Sequence, residues 1–138
     1  MKVVGLDLGT KTLGIAISDI TKTLARGLEN YRFESENYPL AVKRVEQLLN
    51  DEKVSEIILG HPKNMDGSLG KQAQITEEFK RLLEQKTATP VILWDERLST
   101  QQASRNLISN QTKKKKRKSS IDQEAAIFIL QSYLDAKK

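Results

Sequence analysis

Three acidic residues stand where acids are costly. Asp7 interrupts the apolar run Val3-Val4-Gly5-Leu6-Asp7-Leu8, Glu96 follows Val91-Ile92-Leu93-Trp94-Asp95, and Asp122 opens the apolar stretch that runs through Ala125 to Leu130. An ionised carboxylate is expensive to bury unless something pairs with it. Three carboxylates meeting in one cleft repel one another strongly unless cations neutralise them. Hard divalent ions such as Mg²⁺ prefer such oxygen ligands. Two ions about 4 Å apart activate a water and steady the leaving oxygen in phosphodiester hydrolysis. Chemistry of that kind needs no serine, cysteine or histidine nucleophile.

Each acid also has a plainer reading. Asp7 can accept hydrogen bonds from backbone amides of the glycine turn that follows it. Asp122 can complement a helix dipole, as any first-turn acid does. Glu96 can pair with Arg97 or another surface cation. Asp95 competes with Glu96, because strand alternation sends one inward and the other outward, and the pattern alone does not choose. His61 is the only histidine; beside Pro62 it reads as a loop residue rather than a ligand or base.

Charge placement favours a shared site. The formal net charge is +5 over 138 residues, and six positive charges fall in Lys113, Lys114, Lys115, Lys116, Arg117 and Lys118. Taking those six away leaves the remainder at −1, a near-neutral globule with one concentrated basic segment. That pattern suggests a polyanionic partner. The segment lies just before Asp122, well placed to hold a phosphate backbone beside a metal cleft. Its plain alternative is a solvated loop. Cysteine is absent, so disulfides and thiolate metal sites are excluded, and a reducing compartment fits. No signal-type segment and no run near the roughly 18 apolar residues of a membrane span is present, so a soluble intracellular protein with no membrane partner is expected.

The elements that must position these residues follow from hydrophobic spacing. Lys2 to Leu8 and Leu13 to Asp19 read as two apolar strands joined by the turn Gly9-Thr10-Lys11. Leu24 to Phe33 gives a third strand and completes an antiparallel meander. Pro39 suits a helix first turn, and Ala41, Val42, Val45, Leu48 and Leu49 place a helix over Tyr38 to about Asp51. Val54 to Gly60 is a short buried strand, which implies a parallel crossover. The turn-rich segment Gly60 to Ser68 lies at its carboxyl end, where open α/β sheets place ligands. A helix follows over Leu69 to Lys86, then a strand over Pro90 to Trp94. Ser99 or Thr100 can cap a helix carrying Ala103, Leu107 and Ile108. Asn110 to Lys118 is the basic loop, and Ser120-Ile121-Asp122-Gln123 has capping-box form. The last helix, to about Ala136, is apolar almost all round and should be buried on the sheet. The expectation is one α/β domain over 1–138, with a five-stranded mixed sheet of three antiparallel strands followed by two parallel ones. If the first and last strands are adjacent, Asp7 and Glu96 converge.

With these blocks in order, the chain resembles the YqgF/RuvX family of pre-16S ribosomal RNA nucleases. That family belongs to the ribonuclease H-like superfamily, alongside the RuvC-type Holliday junction resolvases. The resemblance rests on Gly5 to Lys11 with Gly14 to Asp19, on Gly60 to Ser68, on Asp95-Glu96-Arg97-Leu98-Ser99-Thr100, and on Asp122 with Ala125-Ala126 and Ile129 to Leu134. His61 stands where the family more often has leucine. The resemblance implies a ribonuclease H-like fold and a metal-dependent nuclease site of Asp7, Glu96 and Asp122, which chooses Glu96 over Asp95. It also implies maturation of the 5′ end of small-subunit ribosomal RNA in the cytoplasm.

The leading expectation is a phosphodiesterase acting on RNA with Mg²⁺ or Mn²⁺, two ions in all, held by Asp7, Glu96 and Asp122. Lys11, Arg97 and Lys113 to Lys118 would contact phosphates. One rival is a resolvase cutting branched DNA, normally as a symmetric dimer. Another is a ribosome-assembly factor that binds RNA without cutting. An actin-like ATPase, suggested by Gly-x-Asp-x-Gly-Thr, needs two such domains around its nucleotide, and this chain supplies one.

Overall fold

The computed structural model describes residues 1–62, 70–96 and 121–137, with side chains of the last segment described from residue 125 onward. Its elements are β1 (Lys2–Leu8), β2 (Thr12–Ser18), β3 (Ala25–Arg32), α1 (Tyr38–Asp51), β4 (Val54–His61), α2 (Lys71–Lys86), β5 (Val91–Asp95) and α3 (Ile121–Ala136). The five strands form one sheet in the order β3-β2-β1-β4-β5. β2 is antiparallel to β1 and to β3, whereas β4 is parallel to β1 and to β5. The mixed sheet expected from the sequence is thus present. β1 and β5 are not neighbours, however, because β4 lies between them.

Alternation along β1 explains why the sheet is buried on both faces. Val4, Leu6 and Leu8 join Leu13, Ile15, Ile17, Val42, Val45, Phe79 and Leu83 in the larger core, beneath α1 and α2. Val3 faces the other way and joins Ala16, Ile58, Ala126, Ile129, Leu130, Tyr133 and Leu134 beneath α3. The helix that is apolar nearly all round therefore lies on the sheet, across β1, β2 and β3 and against β4.

Small residues let α3 come down close. Gly27, Ala16 and Gly5 occupy one row across β3, β2 and β1. A Cβ at Gly5 would stand 2.6 Å from Leu130 Cβ and 3.2 Å from the Ala126 carbonyl oxygen. Toward its end α3 is tied to the sheet by polar groups. Gln131 accepts from the Ala25 amide and donates to the Thr23 carbonyl, Trp94 donates to Ser132 at 3.1 Å, and the Tyr133 ring meets Trp94 edge-on. The Tyr133 hydroxyl bonds Glu56, the register partner of Val3. Ala126 and Leu130 thus sit at the Gly5 row and Tyr133 at the Val3 row. α3 runs antiparallel to β1, and its first turn lies toward the carboxyl end of that strand.

At that end the β1–β2 turn closes through the Gly9 amide on the Thr12 carbonyl, and Phe33 and Glu36 donate to the Lys11 and Thr10 carbonyls. Gln72 of α2 donates to the Leu8 carbonyl at 3.0 Å. The expected helix around Ala103 to Ile108, the capping-box contacts and the basic loop lie outside the described residues.

Because backbone atoms of α3 would have to move, Gly5→Ala is expected to lower stability by about 1–3 kcal/mol, the usual cost of overpacking. Urea unfolding followed by circular dichroism measures it.

Candidate functional site

Asp7 lies near the carboxyl end of β1, two residues beyond Gly5 and on the same face of the sheet. Its register partner on β2 is Gly14. On the other side, one step beyond the Leu6–Leu59 pair, stands Gly60 of β4. The acid is flanked on both sides by residues without side chains.

Glu96 directly follows β5. Ile92 and Trp94 of that strand pack in the core beneath α3, and alternation gives Glu96 the same face. Trp94 is the register partner of Gly60. A Cβ on Gly60 would stand 2.7 Å from Glu96 Oε1 and 3.0 Å from its Cγ. The Glu96 side chain therefore lies across the bare backbone of β4 and hydrogen-bonds Asp7. The two acids converge as the sequence pattern expects, but over an intervening strand rather than between neighbours. Glu96, not Asp95, makes this contact.

Burial, then the hydrogen bond and charge of Asp7, then the charge of Asp95, push the Glu96 carboxyl up to about 8. Desolvation and a like charge both disfavour the ionised form. The raised carboxyl favours the protonated form, in which Glu96 can donate to Asp7. Its oxygens are hard donors, and a divalent cation can take the place of that proton.

Of the other expected site residues, Lys11 is exposed in the β1–β2 turn at this same end of the sheet. Residue 122 lies in the first turn of α3; its side chain, Arg97 and Lys113 to Lys118 fall outside the described residues. Among the described residues no group of three or more His, Cys, Asp or Glu side chains is arranged to hold a metal.

Two features escape the sequence pattern. Gly60, expected to end the strand and open the turn-rich segment, lies inside β4, and what the pattern does not show is that its missing side chain leaves room for Glu96. Its signal is a glycine closing the apolar run Ile57-Ile58-Leu59. His61 is the last residue of β4, not a loop residue, and only 7% exposed. It follows Ile57 and Leu59 onto the face of α2, away from Asp7. Its Nε2 has no hydrogen-bond partner among the described residues and stands 3.9 Å from Glu77 Oε2.

The RuvX family model, described as Holliday junction resolvase, matches residues 1–136. The chain belongs to the RuvX family. A relative from Geobacillus sp. (strain WCH70), named "Putative pre-16S rRNA nuclease", is 48% identical over 138 residues and covers 100% of both chains. One of the same name from Bacillus subtilis (strain 168) is 42% identical over 136 residues, 99% of each chain. Among solved structures, Thermus thermophilus RuvC in complex with a Holliday junction substrate aligns with a TM-score of 0.70 at 15% identity, covering 99% of this chain and 95% of that one. The fowlpox virus resolvase bound to Holliday junction DNA aligns at 0.55 and 16% identity, covering 99% of each chain. The structural likenesses support a ribonuclease H-like architecture for this RuvX-family chain, and its relatives carry a nuclease name. No described helix is long and apolar enough to cross a membrane.

Two measurements follow from this geometry. The Glu96 carboxyl titrates near 4.5 when exposed and is raised to about 8 here. The folded state then binds the extra proton between those values, so metal-free stability should fall as pH rises through that window. Urea unfolding in EDTA at pH 5 and pH 8 reads the slope, and Glu96→Gln should flatten it. Separately, a buried polar atom without a partner costs about 1–3 kcal/mol. His61→Leu should therefore raise the melting temperature and leave nucleic-acid cleavage unchanged.

Proposed function

We propose that the chain is a divalent-cation-dependent nuclease that cuts phosphodiester bonds in RNA, with the small-subunit ribosomal RNA precursor as substrate and the cytoplasm as its place of action. The observation that carries this reading is the Asp7–Glu96 carboxyl pair, held across Gly60 at the carboxyl end of the sheet. Two carboxyls kept in contact with only a proton between them suit a site whose working occupant is a cation. The RNA substrate is carried by the names of the relatives. In this reading residues 1–138 act as one ribonuclease H-like domain.

Asp7 and Glu96 would hold the metal, Mg²⁺ or Mn²⁺, with Asp122 as the third acid. Register supports Asp122: it stands one turn before Ala126, and Asp7 stands two residues beyond Gly5, which lies against Ala126. One helical turn advances about 5.4 Å and two strand residues about 6.6 Å, so on antiparallel elements the two positions keep pace. A divalent cation held by these carboxylates would supply a water of lowered pKa and neutralise charge on the phosphoryl oxygens. Ionised Glu96 would be the form that holds the cation, so binding would release its proton. Lys11, Arg97 and the Lys113 to Lys118 run would contact phosphates of the substrate.

A second reading keeps this chemistry and changes the substrate to a four-way DNA junction. The family description and the two junction-bound neighbours favour it.

End-labelled RNA spanning a small-subunit precursor 5′ end, and a labelled four-way junction, should be incubated with Mg²⁺, Mn²⁺ or EDTA. Cleavage of the RNA is expected with either metal and not with EDTA, and Asp7→Asn should abolish it while RNA binding persists. Cutting by Asp7→Asn at the wild-type rate would sink the mechanism. Preferential paired cuts in the junction would move the assignment to the second reading. Tight binding of RNA with no cutting would make the chain an assembly factor.

A further inference from the structure

We propose that Gly60 is a positioning residue of this site: the missing side chain on β4 is what lets Glu96 reach Asp7 from a strand that is not its neighbour. The inference rests on the reading of Asp7 and Glu96 as the reacting carboxyls and extends it to a residue that carries no functional group.

A glycine inside a strand needs a reason, because it costs backbone entropy and packs nothing. Backbone conformation is not that reason. Gly60 lies in β4 in regular register between Leu59–Leu93 and His61–Asp95, and its backbone is not in the left-handed region. Space is what remains. Two side chains use it: Ile129 Cδ1 would stand 2.5 Å from a Cβ at Gly60, and Glu96 Oε1 2.7 Å from it.

These two neighbours make different demands. Ile129 contributes only the end of its chain, and a valine there would relieve the crowding and keep α3 in place. Glu96 can give way only by moving its carboxyl. Its Oε1 and its Cγ, at 3.0 Å, both pass over Gly60, so the whole side chain crosses the strand. A methyl group beneath it lifts the carboxyl away from the sheet and from Asp7. Gly5 offers the contrast. There the atoms in the way are Leu130 Cβ and the Ala126 backbone oxygen, so that glycine seats the helix and has no part in the carboxyl contact.

The pair Gly60→Ala and Ile129→Val separates the two demands. The full-length double variant keeps the clash with Glu96 and loses the one with Ile129. Measured against Ile129→Val alone, it is expected to keep its melting temperature and its affinity for RNA in EDTA. Crystal structures of both metal-free proteins should show Glu96 on Asp7 in Ile129→Val and displaced in the double variant. Mn²⁺ affinity by calorimetry should fall by about tenfold or more, as when the support of a metal ligand is removed. A double variant whose Glu96 still bonds Asp7 would overturn the proposal, and so would one that binds Mn²⁺ like its parent when the parent binds. If the parent binds no Mn²⁺ yet the double variant separates the two carboxyls, Gly60 keeps its positioning role and the metal reading falls instead.

Discussion

Two carboxyl groups brought together in a half-buried cleft must share a proton or share a cation. The sheet is arranged so that this condition is forced on Asp7 and Glu96. Asp7 is fixed by the central strand, with partners on both sides. Glu96 comes from beyond an edge strand and crosses the one intervening strand where it has no side chain. The close seat of α3 on the Gly5 row closes the same face from above, and Gln72 of α2 ties the end of β1 from the other side. What the cleft holds is a pair of carboxyl groups in direct contact, one of them pushed toward its protonated form.

Most of the frame was legible in the sequence because it is written in periodicity. Near-continuous apolar runs marked β1, β2 and β4 as strands covered on both faces. The helical spacing of Ala41, Val42, Val45 and Leu48 marked α1. The unbroken apolar surface of residues 125 to 130 marked a helix with no solvent side. Asp7 stood out for the same reason, as a charge inside such a run. Periodicity carries no information about which strands lie side by side, so the sequence left the Asp7–Glu96 contact resting on an adjacency that does not exist. The contact survives because of Gly60, and a residue that acts by having no side chain leaves almost no trace in a pattern built from side chains.

The choice between Asp95 and Glu96 shows the same limit from another side. Alternation says that the two face opposite ways, but fixing which way needs a reference residue. Trp94 supplies it: the indole packs on Tyr133 and bonds Ser132 beneath α3, and Glu96, two residues on, shares that face. His61 was misread for a related reason. Beside a proline and a turn-rich segment it looks like loop, whereas the ladder with β5 carries the strand one residue past Gly60 and buries the imidazole under α2.

The antiparallel seat of α3 on β1 also has a temporal meaning. Synthesis proceeds from the amino terminus, so the β-meander that holds Asp7 emerges before the helix that covers it. Until Ala126 and Leu130 have been added, the Gly5 row and the apolar face around Val3, Ala16 and Ile58 have nothing to rest against. Glu96 can be laid over β4 before then, but Ile129 is not yet there to share the space above Gly60. On the ribosome, the sheet face that carries Asp7 and Glu96 stays uncovered until α3 has been made.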